Sequence, residues 1–253
     1  MDLKELEVFS GKRHPYETAR YRILLSILSP YIKGEDNLKV LDVGSGDGYI
    51  SKEMLKCNPG IIITCVDVYL TDEIILQQPQ LDGRLRFYKN YEDIADIRYD
   101  IILMLDVLEH EKNDKELLAM MVNEHMKKNG MLLLKVPAFQ FLFGDYDILY
   151  KHYRRYRLGE VVDLAKNCNL KIIASGYLFF SLLILRFISS IAHRLLSPGK
   201  KQQFKRLGTW NKGWFITSLI ETLLVYENKF ILFLSRNNIK LPGLSAWVLC
   251  EKL

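Results

Sequence analysis

The chain has few cysteines, and its N-terminal sequence contains no secretory signal pattern. Only four cysteines occur in 253 residues, and none is spaced like a disulfide pair or a metal-binding pair. The first 15 residues contain no apolar run, so the sequence predicts a cytoplasmic protein. The thiols, which we expect to be reduced and mostly buried, are Cys57, Cys65, Cys168 and Cys250.

The sequence also lacks an uninterrupted apolar run of membrane-spanning length. The most apolar segment, residues 177–196, is interrupted by Arg186, and its uncharged part is shorter than the ~20 residues that a spanning helix needs. The sequence therefore argues against a simple transmembrane helix. The net charge of +5 is modest, so the placement of the basic residues carries more information than their total.

Residues 40–48, VLDVGSGDG, are the most informative segment. The apolar residues before the glycines are typical of a buried parallel strand, and Gly44, Gly46 and Gly48 permit positive φ and close backbone approach. The spacing is GxGxG rather than the GxGxxG of dinucleotide-binding loops. It favours a nucleoside cofactor without a pyrophosphate.

Acidic residues follow three further predicted strands. Asp67 ends the second strand, Asp93 follows the third, and Asp106 ends the fourth. Because the carboxyl ends of parallel strands meet at one edge of a sheet, we expect these carboxylates to border one crevice. A carboxylate in the position of Asp67 can accept both hydroxyl protons of a ribose.

These features resemble the class I S-adenosylmethionine-dependent methyltransferases, and within them the ubiquinone-type and small-molecule branch. The resemblance covers most of residues 13–173. It implies a doubly wound, Rossmann-like α/β sheet of seven strands whose last strand is antiparallel, with a helical insertion before that strand. It also implies S-adenosylmethionine as the cofactor.

The resemblance assigns roles to individual residues. It implies that Asp67 binds the ribose, that Val68 covers one face of the adenine, and that Asp106 lines the methyl-transfer site. Arg20, in the segment HPYETARYR, would lie near the carboxylate of the cofactor. The residues implied for the methionine end are Asp42, Gly44, Gly46 and Gly48, and those for the adenine edge are Asp93 and Ile94.

A polar, aromatic loop follows the predicted fifth strand. Its DxxxxHxRRY pattern, residues 147–156, resembles a motif of methyltransferases from polysaccharide and lipid-linked glycan pathways. We expect a substrate-binding lid whose arginines bind a phosphate or carboxylate. The alternative is a structural cover in which the arginines pair with Asp145 or Asp147. The substrate-binding residues of the first hypothesis are Tyr153, Arg154, Arg155 and Tyr156.

Three residues are predicted to act in catalysis. His152 in the lid and His110 after the fourth strand can accept a hydroxyl proton near neutral pH, and Asp106 would lie beside them. His110 has an alternative role as a helix-start residue bonded to the backbone. Asp106, Glu109 and His110 also resemble the ExxEH arrangement of some ubiquinone-type O-methyltransferases, which could hold a divalent cation. From the sequence alone we assign no metal.

Motifs for methylation of DNA bases are absent from the sequence. LDVLEH contains no NPPY-like or DPPY-like tetrapeptide, and KVPAF lacks a cysteine after its proline. A nucleic-acid substrate is therefore not expected, although an RNA methyltransferase stays as an alternative.

About sixty residues separate the sixth and seventh predicted strands. After a break at Pro198 and Gly199, basic and aromatic residues alternate without an acidic residue, which suits an anionic interface. A predicted amphipathic helix follows, in which Glu221, Glu227 and Lys229 argue against burial in lipid. The basic residues are Lys200, Lys201, Lys205, Arg206 and Lys212, and the aromatic ones are Phe204, Trp210 and Trp214.

We therefore predict a methyltransferase domain in residues 1–176 and 242–253 and an insertion in residues 177–241. The insertion is a cap over the substrate pocket, an anchor on an anionic membrane surface, or a homodimer interface. The predicted reaction is methyl transfer from S-adenosylmethionine to oxygen of a small or lipid-linked acceptor, with carbon as the other acceptor atom. The alternatives are an RNA methyltransferase and a non-catalytic, cofactor-binding peripheral membrane protein.

Overall fold

A computed structural model describes residues 11–78, 83–196 and 209–253, which fold around a seven-stranded sheet of order β3-β2-β1-β4-β5-β7-β6. The strands from β3 to β5 pair in parallel, whereas β7 is antiparallel to both β5 and β6. The predicted fold class is confirmed. The strands are β1 (Lys39–Val43), β2 (Ile62–Val66), β3 (Leu85–Tyr88), β4 (Tyr99–Leu105), β5 (Met126–Pro137), β6 (Leu170–Leu178) and β7 (Ser245–Lys252).

Helices cover both faces of the sheet. Successive strand residues point to opposite faces, and Val40 and Leu41 accordingly belong to two separate apolar cores, one on each side. The helices are α1 (Pro15–Ile32), α2 (Tyr49–Cys57), α3 (Asp72–Leu76), α4 (Asp114–Met120), α5 (Asp145–Leu149), α6 (Leu158–Asn167), α7 (Phe180–Leu196) and α8 (Trp214–Arg236). Short 3₁₀ turns lie at Glu92–Ile94, Leu108–His110 and Gln140–Leu142.

The glycine turn between β1 and α2 has the left-handed backbone that its sequence predicts. Gly44, Gly46 and Gly48 have φ values of 65°, 56° and 67°. A Cβ atom on Gly44 would lie 2.7 Å from Cγ2 of Val107, and one on Gly48 would lie 2.6 Å from Cζ of Phe87. The turn therefore needs glycine for both its conformation and its packing.

The segment between α4 and β5 differs from the expectation. The sequence predicts a helix to about Lys127 and a turn at Asn129 and Gly130, but α4 passes into a turn of π-helix, Met121–His125, and β5 begins at Met126. Met121, Val122 and Met126 are buried, so core packing determines the boundary. Asn129 has φ 57°, and the β4–β5 register shifts there.

The two helices between β6 and β7 pack on the body through polar contacts as well as apolar ones. α8 lies against α1 and β6, and its buried Asn228 accepts a hydrogen bond from the Phe179 amide at 2.7 Å. No helix within the described ranges is both long and apolar enough to cross a membrane. The predicted break at Pro198 and Gly199, and the residues Lys200, Lys201, Phe204, Lys205 and Arg206, lie outside the described residues.

Candidate active site

A cavity of about 1050 Å³ opens at the carboxyl ends of β1, β2 and β4. The glycine turn and α1 form one part of its wall, and the lid and α7 form another. Ten of the predicted site residues line it: Arg20, Asp42, Gly44, Gly46, Asp67, Val68, Asp106, His110, His152 and Arg155. Residues from five separate segments thus meet at the edge of the sheet where ligands bind in this fold.

Asp67 is held in place by the backbone of the turns around it. One carboxylate oxygen accepts a hydrogen bond from the Gly46 amide at 2.9 Å, and the other accepts one from the Tyr69 amide at 3.0 Å. Asp42 lies beneath the turn, where Ser51 donates to it at 2.7 Å and burial raises its pKa to about 6. Bare backbone at the glycines and a positioned carboxylate fit a nucleoside with a ribose diol.

Asp106 lies between two cations. Lys135, which is fully buried, donates to its carboxylate at 2.6 and 2.7 Å, and Arg20 donates at 2.7 Å. Burial opposes ionisation of Asp106, but Lys135 and Arg20 outweigh it and lower its pKa to about 2. A carboxylate stabilised in this way is a poor proton acceptor. The geometry therefore favours an electrostatic role for Asp106 over one as a base.

The lid is held together by Asp147. This fully buried carboxylate lies 2.9 Å from Nδ1 of His152, and it accepts hydrogen bonds from Nε of Arg155 at 2.8 Å and the Gly144 amide at 3.0 Å. Burial opposes ionisation of Asp147, but His152 and Arg155 outweigh it and lower its pKa. His152 and Arg155 reach the cavity, so Asp147 positions both groups there.

Three of the four predicted substrate-binding residues do not line the cavity. Arg154 pairs with Asp114 at 3.0 Å, and the buried hydroxyl of Tyr156 donates to the same carboxylate at 2.8 Å. Tyr153 is exposed, and its amide donates to the Glu109 carbonyl at 2.7 Å. For Arg154 and Tyr156 the structure thus agrees with a structural cover, although their partner is Asp114 rather than Asp145 or Asp147.

The cavity wall also departs from the predicted adenine edge. Ile94 is buried in a core, Asp93 is exposed, and neither lines the cavity. Tyr91, just before them, lines it instead. Gly48 does not line it either, and a Cβ atom added there would point at the Phe87 ring.

Glu109, His110 and His152 come together on the side of the cavity next to Asp106. One possible ligand atom from each side chain lies within 4.8 Å of the others. The rings of His110 and His152 meet edge to face, with centroids 4.6 Å apart. Glu109 is 1% exposed, and burial together with the charge of Asp106 raises its pKa well above its ordinary value. This cluster can hold or accept a proton beside the cavity.

A cap over the pocket was one of the three roles that the sequence allowed for the insertion, but no residue of α7 was predicted to line the cavity. Leu182 and Arg186 line it, one helical turn apart, and the Arg186 guanidinium lies 5.3 Å from the ring centre of Tyr146 in the lid. Burial, with the nearby charge of Arg155, lowers the pKa of Arg186. The interruption of an apolar run by Arg186 was the one signal that pointed to this position.

A family described as a methyltransferase domain matches residues 14–175, more than half of the chain. The chain belongs to this family. Residues 14–175 therefore form an S-adenosylmethionine-dependent methyltransferase domain, and S-adenosylmethionine is the cofactor of this domain. The specific lid motif and the acceptor are not identified by this match.

Curated relatives are similar over about half of the chain. The match to a ribosomal RNA small subunit methyltransferase C from Erwinia tasmaniensis is 29% identical over 53% of this chain and 42% of that protein. The match to a ubiquinone biosynthesis O-methyltransferase from Rickettsia felis is 24% identical over 53% of this chain and 61% of that protein. The chain thus spans less than two thirds of the length of either relative.

Solved methyltransferase structures have the same fold. A phosphoethanolamine N-methyltransferase 2 from Haemonchus contortus, in complex with S-adenosyl-L-methionine, superposes with a TM-score of 0.56 at 14% identity, over 90% of this chain and 51% of that one. A SAM-dependent methyltransferase from Archaeoglobus fulgidus has a TM-score of 0.50 at 16% identity, over 92% and 94% of the two chains. At these identities the likeness shows the fold alone.

Proposed function

We propose that this chain transfers the methyl group of S-adenosylmethionine to an oxygen atom of a small or lipid-linked acceptor. The observation that supports this most strongly is that one cavity is lined both by the glycine turn with Asp67 and by the cluster of Glu109, His110 and His152. The cofactor supplies the activated methyl group. The protein then has to align the acceptor and remove its proton.

In this proposal Asp67 binds the ribose hydroxyls and Arg20 lies near the cofactor carboxylate. The ion pairs of Asp106 with Arg20 and Lys135 hold the guanidinium in place, since these contacts leave little rotamer freedom to the Arg20 side chain. The cofactor-binding part is then organised before the ligand enters, which lowers the entropic cost of binding.

His152 is the proposed base in the protein without a metal. Ionised Asp147 can accept a hydrogen bond from Nδ1–H of His152, and the tautomer that donates it leaves the lone pair of Nε2 available. His110 packs against the same imidazole ring and limits its rotation. The acceptor hydroxyl would lie between Nε2 and the methyl donor, with Arg155 and Arg186 available for an anionic group of the acceptor.

The experiment that tests this function supplies the protein with cofactor carrying a labelled methyl group and a fractionated cell extract. We expect label in the lipid or small-molecule fraction, and much less of it when Asp67→Asn protein replaces the wild type at a limiting concentration of cofactor. Label confined to RNA would contradict the proposed acceptor and support the RNA alternative, for which the similarity to a ribosomal RNA methyltransferase is the specific observation. No transfer with intact cofactor binding would support the non-catalytic alternative.

We further propose that α7 and α8 bind an anionic membrane surface at the cytoplasmic face, where a lipid-linked acceptor would be available. Large apolar side chains on both helices are exposed, and isolated soluble chains seldom expose so many. On α7 they are Ile184, Leu185, Phe187, Ile188, Ile191, Leu195 and Leu196. On α8 they are Trp214, Phe215, Ile216, Leu219, Leu223, Tyr226, Phe230 and Phe233.

The positions of the charged residues on α8 support a lipid partner. They revise the expectation from the sequence that Glu221 and Glu227 would keep this helix out of lipid. Glu221 turns toward the body and pairs with Arg22 at 3.0 Å. Glu227 accepts two hydrogen bonds from Ser181, both at 2.6 Å, at the start of α7. Among the exposed side chains of α8 the charged ones are therefore the basic Lys229 and Arg236. An anionic surface complements both the apolar stripe and these cations.

The sequence that connects α7 and α8 is also positively charged. Residues 197–213 contain five lysines and arginines and no acidic residue. The opposite side of α7, with Leu182 and Arg186, lines the cavity. A helix that contacts lipid on one side and the cavity on the other would bring a membrane-bound acceptor close to the methyl donor.

Vesicle flotation tests the membrane proposal. The protein should float with vesicles that contain phosphatidylglycerol, and the double variant Leu223→Asp/Phe230→Asp should stay in the lower fraction. The control Leu76→Asp removes a leucine of α3 that is more exposed than Leu223 or Phe230, and it should float like the wild type. Wild-type protein that fails to float contradicts the proposal. A dimer in sedimentation that the double variant abolishes would then identify a second copy as the occupant.

A further inference from the structure

Two arginines from separate parts of the chain line the same cavity as the proposed base. Arg155 belongs to the lid, and Arg186 lies on α7, in the segment inserted between β6 and β7. The two segments pack together through an edge-to-face contact between Phe141, shortly after β5, and Phe187 of α7, whose ring centroids are 6.0 Å apart. The insertion thus adds a second positive charge to the wall of the cavity beside the lid.

Arg155 has one guanidinium nitrogen available for a ligand. Its side chain is only 4% exposed, and it donates through Nε to Asp147 at 2.8 Å and through Nη1 to the Ala138 carbonyl at 3.3 Å. Nη2 makes no hydrogen bond to any of the described residues. Donors on a nearly buried cation are normally bonded, because leaving them without an acceptor is costly. An anion in the cavity would supply that acceptor.

The environment of Arg186 penalises its positive charge. Burial and the charge of Arg155 lower the pKa of Arg186, although Asp147 and Asp145 act in the opposite direction. Asp147 is already bonded to Arg155 and His152, and Asp145 does not line the cavity. Because like charges that share a partly buried space repel each other, an anion bound between the two guanidiniums would stabilise both.

The side chains around Arg186 suit an acceptor that is anionic in one part and apolar in another. The ring centre of Tyr146 lies 5.3 Å from the guanidinium and 4.6 Å from the ring centre of Tyr150. Both tyrosines line the cavity, as do Leu182 and Leu244. Apolar and aromatic walls bury the hydrocarbon part of a ligand, and a few polar groups orient it. The arginines would be the orienting groups here.

A phosphoryl group matches two guanidiniums better than a carboxylate does. A phosphomonoester carries a charge of about −1.5 to −2 and three acceptor oxygens, whereas a carboxylate has one charge and two oxygens. One guanidinium can bind both oxygens of a carboxylate in parallel. A second arginine from another segment therefore adds most to the binding of an anion with more oxygens and more charge.

We propose that Arg155 and Arg186 together bind a phosphoryl group of the acceptor. The inference rests on the proposed function and deepens it, because it names the acceptor class as phosphate esters that carry a free hydroxyl. Asp147 contacts both His152 and Arg155, so the phosphoryl group would bind close to the hydroxyl that receives the methyl group. Lipid phosphates and soluble phosphate esters share this chemistry, and the test distinguishes them.

Calorimetry on the full chain tests the subsite without turnover. The protein is first saturated with S-adenosylhomocysteine, so that the cofactor-binding residues are occupied. It is then titrated with glycerol 3-phosphate and with monomeric dihexanoyl phosphatidic acid, which are both phosphomonoesters. We expect at least one of them to bind. Tighter binding of the phosphatidic acid would identify a lipid phosphate as the acceptor, and glycerol 3-phosphate that binds as tightly or more tightly would identify a soluble ester.

Matched variants assign this binding to the two arginines. Arg186→Met keeps the length of the side chain and removes its charge, so phosphate binding should weaken by about 10- to 100-fold while S-adenosylhomocysteine binds as before. Arg186→Lys and Arg155→Lys keep the charge without the planar guanidinium, and each should give a smaller loss. The control Arg157→Met replaces an exposed arginine that does not line the cavity, and it should bind like the wild type.

Three results would overturn the inference. The first is that neither phosphate ester binds at about 10 mM to protein that binds S-adenosylhomocysteine. The second is phosphate binding that Arg186→Met leaves unchanged while its melting temperature shows the variant to be folded. The third is a methylated product without phosphorus in the labelled-extract experiment, which would leave the proposed transfer to oxygen in place. Labelled RNA would instead contradict the proposed function as well.

Discussion

The two ends of the cavity are built from different interactions. At the cofactor end, backbone conformation dominates: Gly44 and Gly46 have positive φ, and Asp67 accepts hydrogen bonds from main-chain amides. At the acceptor end, side chains from the lid and the turn after β4 contact one another through buried charges. The first end depends on local sequence, and the second depends on tertiary contacts.

The largest effect that we expect distinguishes two adjacent arginines of the lid. Arg155→Ala should destabilise the protein by about 3–5 kcal/mol, because it leaves the buried Asp147 carboxylate without its guanidinium. Arg154→Ala should cost less than about 1 kcal/mol, since its pair with Asp114 is partly exposed. Urea unfolding measures both. Equal losses would contradict the different roles that the structure gives these two residues.

This contrast shows why the sequence predicts one end better than the other. The glycine turn and Asp67 follow from an apolar strand and a spacing of a few residues, so a local pattern is enough. Arg154 and Arg155 have the same chemistry in the same motif, and only the folded lid shows which one faces Asp147. The inward orientation of Glu221 and Glu227 on α8 is likewise a tertiary feature that helical spacing could not predict.

A second prediction concerns the cofactor end. Gly44→Ala should destabilise the protein by about 1–3 kcal/mol, because alanine is strained at φ 65° and its Cβ would contact Val107. The matched change Gly159→Ala, in α6, adds a Cβ with nothing within 4 Å and should be neutral or stabilising by up to ~1 kcal/mol. Thermal unfolding of the two variants tests whether the turn requires glycine.

A smaller effect is expected in the pH dependence of stability. Asp106 has a pKa of about 2 in the folded protein against an ordinary 3.8, so it stabilises the fold above pH ~4 and loses that contribution as the pH falls toward 2. Lys135→Met removes the nearest cation and raises the pKa of Asp106. The contribution, on the order of 1 kcal/mol, should then disappear at a higher pH.

The control for this change is Lys127→Met. Lys127 pairs with Asp100 at 2.8 Å near the opposite end of β4, and it is more exposed than Lys135. Its replacement should leave the profile between pH 5 and 3 close to that of the wild type. If both variants gave the same profile, the buried contact of Lys135 would have no special part in the ionisation of Asp106.

The central claim, that one end of the cavity binds the methyl donor and the other serves the acceptor, is tested most directly by calorimetry with S-adenosylmethionine. We predict that Asp67→Asn weakens donor binding by roughly 10- to 100-fold, because a neutral amide replaces the charged acceptor proposed for the ribose hydroxyls. Folded Asp147→Asn protein should bind the donor like the wild type. Donor binding that survives Asp67→Asn but is lost in Asp147→Asn would contradict the account.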